Sequence, residues 1–253
     1  MTDHEIKNPP TPDAPRATVL GVVMARAGSK GLADKHTLPL LGRPVIDYTL
    51  EHVRSSALLT STVVSSDSTG VLQLAARRGF DVLHRPPHLC TDIASVQAVM
   101  LHALDASEQS GVRFDAAVIL YGNVAVRGEG VIDRAIQHWC DTRCDSVRTF
   151  CTVGKWHPAW MSHLRGDIVE PLRPGSIHRR QDLEPVYLHD GAAVVMSRDS
   201  LLRGQATPDD PHAMFGTDRR GVETQMGETI EIDHRRDLYW AEAVLREQQE
   251  QAP

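Results

Sequence analysis

The stretch ATVLGVVMARAGSKG, Ala17 to Gly31, decides how the rest of the chain is read. It opens as an apolar, β-branched run through Val19, Leu20, Val22 and Val23, the composition of a strand buried on both faces of a parallel sheet. It then breaks into a short turn carrying two glycines, Arg26, Ser29 and Lys30. Glycine lets backbone N–H groups approach an anion closely, and the two cations add charge, so the turn reads as a phosphate-receiving loop. Its spacing is neither GxxxxGK[ST] nor GxGxxG, which excludes a Walker A loop and the dinucleotide fingerprint. Taken alone, the same residues also suit an ordinary strand-to-loop turn with solvated charges.

Beyond this stretch, strands and helices alternate. Pro44 suits the first position of a helix whose apolar face is Val45, Ile46, Leu50 and Val53. Ser61 to Ser65 and Asp81 to Leu83 read as short strands around a helix capped near Ser66-Asp67-Ser68 and ending by Gly79. Further on come a helix from Ile93 to Ala106, a strand from Ala116 to Tyr121, a helix from Gly130 to Trp139 and a strand from Ser146 to Val153. Gly154 to Pro185 has no clean period and reads as an inserted lobe or arm. Its tryptophans suit either a dimer contact or packing on the parent domain. Order returns with an apolar strand, Val186 to Met196, interrupted at Asp190-Gly191. Leu201 to Arg219 reads as a loop, Thr229 to Asp233 as a last strand and Arg235 to Glu247 as a closing helix. Repeated β-α-β units imply an α/β fold, a mostly parallel sheet with helices on both faces, and a ligand beyond the carboxyl ends of the strands.

Composition narrows the function. At 253 residues, 41% hydrophobic and 24% charged, the chain suits one sizeable soluble domain, here residues 17–250 behind a polar, proline-rich tail at 1–16 expected to be disordered. The net charge of −6 gives no general pull toward nucleic acid or an anionic membrane. No apolar run approaches the length of a membrane span, and the amino terminus lacks the apolar core of a signal peptide, so a cytoplasmic location is expected. Cys140, Cys144 and Cys151 match no zinc spacing, and the four cysteines do not amount to a disulfide framework.

Several segments carry a family resemblance. ARAGSKG (Ala25 to Gly31), Lys35 and LGRPVIDYTL (Leu41 to Leu50) resemble the opening of the acylneuraminate cytidylyltransferases, the CMP-sialic acid synthetases, which are relatives of the CMP-KDO synthetases. SSD at Ser65 to Asp67, HRPPHLCTDIAS at His84 to Ser95, RRQDLEPVYLHDGA at Arg179 to Ala192 and EIDHRRDLYWAEAVL at Glu231 to Leu245 follow in the family's order. The resemblance spans Thr18 to Leu245. It implies a Rossmann-like nucleotidyltransferase fold and a homodimer with 154–185 as its arm. The implied reaction is attack of an acidic sugar's anomeric hydroxyl on the α-phosphorus of CTP, giving a CMP-sugar and pyrophosphate.

The resemblance also implies residue roles. Arg26, Lys30 and Lys35 would neutralise the triphosphate as the catalytic cations, with Ala25, Ala27, Gly28, Ser29 and Gly31 shaping the loop. Arg85, Asp92 and Ser95 would shape the nucleotide pocket. Arg179, Arg180, Gln181, Tyr187 and Asp190 would receive the sugar, and an extended backbone lets only one arginine of the pair face it. Alternation places Glu231 and Asp233 on one face of a strand, where the family binds Mg2+ through paired aspartates, while Asp237 suits the first turn of the last helix. His36 stands where the family usually has Asn. The family's central LLQPTSPLR becomes ILYGNVAVR at Ile119 to Arg127, in which Leu120 and Arg127 survive and Tyr121 and Asn123 would form an altered sugar wall. A different nucleotide or a sugar phosphate, a non-catalytic nucleotide-sugar binder and a nucleotide-sugar-using glycosyltransferase remain alternatives at this point.

Overall fold

The opening apolar run forms strand β1 (Val19–Met24), and its alternate side chains enter two different layers of core. Val19 and Val23 join one cluster and Leu20 and Val22 the other, as a strand buried on both faces requires. The computed structural model describes residues 17–28, 31–173, 175, 177, 179–207 and 209–251. The expected tail at 1–16 lies outside them.

Six further strands complete the sheet: β2 (Ser61–Ser66), β3 (Asp81–His84), β4 (Ala116–Tyr121), β5 (Ser146–Thr152), β6 (Tyr187–Ser197) and β7 (Arg219–Thr224). They are ordered β7-β5-β6-β4-β1-β2-β3, and only β6 runs antiparallel to its neighbours. Helices α1 (Val45–Ser55), α2 (Thr69–Arg77) and α4 (Val131–Thr142) cover one face through Ile46, Leu50, Val71, Ala75, Ile136 and Trp139. Helix α3 (Val96–Glu108) and the short α5 (Arg198–Arg203) cover the other through Met100, Leu104 and Leu201. Helix α6 (Arg235–Gln251) packs Leu238, Ala241 and Val244 on a third cluster with Leu40, Tyr48, Val126 and Ile232. The expected architecture, a mostly parallel sheet between helical layers, is the observed one.

Several boundaries differ for local reasons. Pro44 precedes α1 instead of opening it, because Arg43-Pro44 pairs with Pro39-Leu40 in a tiny antiparallel ladder. Helix α3 begins at Val96 and not at Ile93, since the Ser95 hydroxyl caps it by accepting from the Ala98 N–H at 3.1 Å. The segment 201–219 is not a plain loop: it holds the end of α5 and the first residue of β7, a polar edge strand (RRGVET) without apolar alternation. In the arm, Ser162–Arg165 pairs antiparallel with Ile168–Pro171. All eight of these residues are exposed, so burial imposes no sequence period on them. The last expected strand shrinks to Ile230–Glu231, which pairs with Val124–Val126 apart from the main sheet.

One buried cation ties the carboxyl end of β4 to its surroundings. Arg127, 4% exposed, donates from Nη2 to the Tyr121 carbonyl (2.8 Å), from Nη1 to the Val124 carbonyl (2.9 Å) and Thr49 Oγ1 (3.0 Å), and from Nε to the Ala192 carbonyl (2.9 Å). Ala192 lies in the irregular segment of β6 between His189 and Val194, where Gly191 takes φ +76°. Burial pulls the Arg127 pKa down to about 9, partly offset by Glu231 and Asp190, so the guanidinium stays charged at neutral pH. Nearby, His36 is 5% exposed, and burial, with Lys35 and Arg85 adding to it, holds its pKa down at about 3.

Arg127→Met strips the Ala192 carbonyl of its guanidinium donor and leaves the Tyr121 and Val124 carbonyls to share the Thr49 hydroxyl, and should lower the unfolding free energy by about 2–4 kcal/mol in urea titrations, whereas a loss under about 0.5 kcal/mol would contradict the bracing role. For His36 the unfolded imidazole takes up a proton below pH 6.5 that the folded one refuses until about pH 3. Stability attributable to this group is therefore full above pH 6.5 and falls as pH drops toward 3, by up to about 1.4 kcal/mol per unit. His36→Asn should flatten the measured slope of urea midpoints in that window, and an unchanged slope would remove His36 as its source.

Candidate active site

The carboxyl ends of β1, β2, β3 and β4 deliver, in turn, Arg26, Asp67, Arg85 and the Tyr121–Asn123 turn. A cavity of about 310 Å³ opens there, and Arg26, Lys35, Arg85, Asp92, Tyr121, Asn123 and Glu231 all line it. A larger cavity, about 410 Å³, opens beside His52 and the start of α4. Of the residues singled out in the sequence it holds only Arg127, whose guanidinium is already engaged with the backbone and Thr49.

The loop after β1 is fastened by the second strand. The Ala25 N–H donates to the Ser65 carbonyl (3.1 Å), its own carbonyl accepts from Ser66 Oγ, and the Ala27 N–H donates to Asp67 Oδ1 (2.7 Å). Ala25 and Ala27 therefore spend their N–H groups on positioning the loop. Gly28 takes φ +68° with open space where a Cβ would stand. A Cβ on Gly31 would come within 2.7 Å of the Asp233 carbonyl, so only glycine permits that approach. Ser29 and Lys30 lie outside the described residues. Asp67 was legible as part of the SSD turn, but its grip on the loop required the fold.

Both described cations of the expected triphosphate site hold carboxylates. Arg26 Nη1 lies 2.8 Å from Asp92 and 3.3 Å from the Cys90 carbonyl, and Lys35 Nζ lies 2.6 Å from Asp233 Oδ1. Arg26, Asp92 and Asp233 are a third to a half exposed, and ion pairs of that kind stabilise little on net, so their partners are exchangeable for phosphate. Arg85 differs. It is 3% exposed and donates to Ser65 Oγ (3.3 Å) and the Ser65 carbonyl (3.1 Å), and burial lowers its pKa.

Glu231 and Asp233 do face one way, with the fully buried Ile232 between them. The amide of Asn123 reaches both, at 3.0 Å from Glu231 Oε1 and 3.3 Å from Asp233 Oδ1. Asp237 accepts from the backbone N–H groups of Asp233 (2.9 Å) and His234 (2.7 Å), which secures the start of α6. Among the described residues no three His, Cys, Asp or Glu side chains form a ready metal cluster. Two converging carboxylates nevertheless fit Mg2+, which commonly takes one or two protein carboxylates and completes its shell with water and substrate phosphates.

The residues expected to receive the sugar are less united. Tyr121 lines the cavity, and burial and the Glu231 charge raise its pKa. Asp190 is taken up by the fold: it accepts from the hydroxyls of Thr149, Thr224 and Thr229 and from the Ala192 N–H. Tyr187 is exposed and donates to Glu223 Oε2 at 3.3 Å. Arg179 precedes an exposed turn, Arg180–Asp182, that does not line the cavity, so Arg179, Arg180 and Gln181 are not brought to it. Ser95, the cap of α3, does not line it either.

The chain is 30% identical over 186 residues to the N-acylneuraminate cytidylyltransferase of Streptococcus agalactiae serotype III, covering 72% of this chain but 44% of that protein, so it spans less than half the length of that relative. It is 27% identical to the pseudaminic acid cytidylyltransferase of Campylobacter jejuni, over 92% of this chain and 98% of that one. A solved CMP:2-keto-3-deoxy-manno-octonic acid synthetase complexed with CTP superposes with a TM-score of 0.71 at 17% identity, covering 92% of this chain and 100% of that one, a likeness of fold. The family profile described as cytidylyltransferase matches residues 20–204, most of the chain, and on that match the chain belongs to the cytidylyltransferase family.

Proposed function

We propose that this protein transfers the cytidylyl group of CTP to the anomeric hydroxyl of an acidic sugar, a sialic-like nonulosonate or another ulosonate. The observation that carries the reading is the gathering of Arg26, Lys35, Glu231 and Asn123 around one cavity at the carboxyl edge of the sheet, with Asp233 held beside them by Lys35. The names of the relatives, which concern acylneuraminate and pseudaminic acid, favour a nonulosonate.

In this reading the anomeric hydroxyl gives up its proton to water, its oxygen bonds to the α-phosphorus, the P–O bond from that phosphorus to the bridging oxygen breaks, and pyrophosphate leaves with the electron pair. Such a transfer asks the protein mainly for positioning and for neutralisation of charge. Arg26 exchanges Asp92 for a phosphate oxygen, and Lys35 neutralises the β and γ groups. Glu231 and Asp233 are the residues to hold Mg2+, which when bound would neutralise phosphate charge. Tyr121 forms a wall of the sugar side. The sugar carboxylate needs a cation, and Arg179 or Arg180 would have to move in from the exposed turn to supply it. We also assign the arm to self-association. Leu164 and Val169 pair directly across its hairpin and are 73% and 62% exposed, a surface that a second copy would cover. Among the described residues no helix is long and apolar enough to cross a membrane, and the cytoplasm is the proposed location.

The decisive assay is pyrophosphate release with Mg2+, crossing CTP, GTP, UTP and ATP against acidic sugars and sugar phosphates. Release with CTP and an acidic nonulosonate or ulosonate is the expected result. Release only with another nucleotide or with a sugar phosphate would replace the substrate assignment, and CTP binding without turnover across the panel would favour a non-catalytic binder. Arg26→Ala should reduce turnover by about 10²–10³-fold while leaving the urea midpoint in place, and near-normal turnover would remove Arg26 from the site. Leu164→Asp with Val169→Asp should shift the mass seen by light scattering from dimer to monomer, and an unchanged mass would place any interface elsewhere.

A further inference from the structure

The geometry points to Asn123 as the positioning residue that sets the spacing of the Glu231 and Asp233 carboxylates, a different role from the sugar wall expected of it in the sequence. Asn123 is 3% exposed. Its backbone carbonyl accepts from the Ile232 N–H at 2.8 Å, and its side-chain Nδ2 lies 3.0 Å from Glu231 Oε1, 3.1 Å from the Ile232 carbonyl and 3.3 Å from Asp233 Oδ1. One amide with two hydrogens thus serves three oxygens on three consecutive residues. Each of those oxygens is an acceptor, so the nitrogen of the amide, not its oxygen, must face them.

The clamp is itself held. Gly122 donates its N–H to the Met24 carbonyl at 2.9 Å, and a Cβ there would stand 3.0 Å from the Ala25 Cβ and 3.1 Å from the His36 ring. The turn is therefore seated against β1 and His36, and Asn123 has a fixed base. This matters because Glu231 and Asp233 are like charges of unequal reach. Two carboxylates facing one another repel, and the longer side chain has more rotamers in which to turn away. A neutral donor between them opposes that repulsion and draws both oxygens toward one point without competing as a third ligand. Lys35 Nζ meets the same Asp233 Oδ1 at 2.6 Å and brings a positive charge to the pair. Net charge at the pair stays low, so a divalent cation is held weakly until phosphate oxygens complete its shell.

This inference rests on the metal assignment of the proposed function, and direct cation binding separates the two. Mn2+ binding to the whole protein would be followed by the change in the electron paramagnetic resonance signal, without CTP against free Mn2+ and with CTP against the same Mn2+–CTP mixture lacking protein, since the triphosphate itself chelates the ion, for wild type, Asn123→Ala, Asn123→Ser and Asn123→Asp. Circular dichroism would confirm that each variant is folded, and the serine variant keeps the test open if another does not fold. The alanine and serine variants should weaken Mn2+ binding in the presence of CTP by about tenfold or more, the usual effect of removing a group that orients ligands. Asn123→Asp should tighten binding without CTP, because it adds a carboxylate beside the pair. Affinities equal to wild type in the folded variants, with a changed KM for the sugar, would overturn the inference alone and return Asn123 to the sugar wall. Absence of Mn2+ binding by wild type, with or without CTP, would overturn the metal assignment and the inference together.

Discussion

The guanidinium of Arg127 is the constraint on which the site depends. A cation withdrawn from water is costly unless its hydrogens are matched, and here donors on all three nitrogens meet carbonyls or a hydroxyl. The acceptors belong to three separate pieces: the end of β4 and the turn after it, helix α1 through Thr49, and the irregular segment of β6. Holding these together fixes the place of the Tyr121–Asn123 turn. Asn123 in turn holds the segment from Glu231 to Asp233 against that turn, and α6 follows from Asp237. One buried charge thereby connects the middle of the sheet to both walls of the cavity.

The electrostatics of the cavity follow a second pattern. Its partly exposed cations, Arg26 and Lys35, face Asp92 and Asp233, whereas its buried Arg85, like Arg127 outside it, is spent on backbone oxygens and hydroxyls. Burial separates structural from exchangeable charge. A surface ion pair is easily replaced by a phosphate contact, while removing a buried donor strands its acceptors. The same division explains His36. Kept neutral by burial, it fills space beneath the Gly122 turn without adding charge to an already cationic pocket.

Much of this was legible before the fold was known. The two-sided burial of β1 and the parallel sheet follow from apolar patterning, the meeting of the Arg26 loop with the Tyr121 turn follows from the order of strand ends, and the approach of Lys35 and Glu231 was implied by the family resemblance. Alternation also placed Glu231 and Asp233 on one side. The exposed arm hairpin and the polar edge strand β7 escaped the sequence for want of apolar alternation, and α5, with Leu201 buried, escaped because six residues are too few to show a period. Long-range partners escaped too. Nothing in the local pattern of Asp190 says that three threonine hydroxyls from distant segments will surround it, or that Asn123 will meet residues more than a hundred positions away. A resemblance in motif order places residues near a site, and only the packing decides which of them face it.

The central claim is that the triphosphate and its cation sit between the Arg26 loop and the Glu231–Asp233 pair. The most direct measurement is a crystal structure grown with CTP and Mn2+ and recorded for anomalous scattering from manganese. The account predicts a manganese peak touching Glu231 and Asp233, with phosphate density over the loop and Arg26 turned from Asp92 to the nucleotide. Nucleotide density in the cavity beside His52 and α4, or a manganese peak away from this pair, would contradict it.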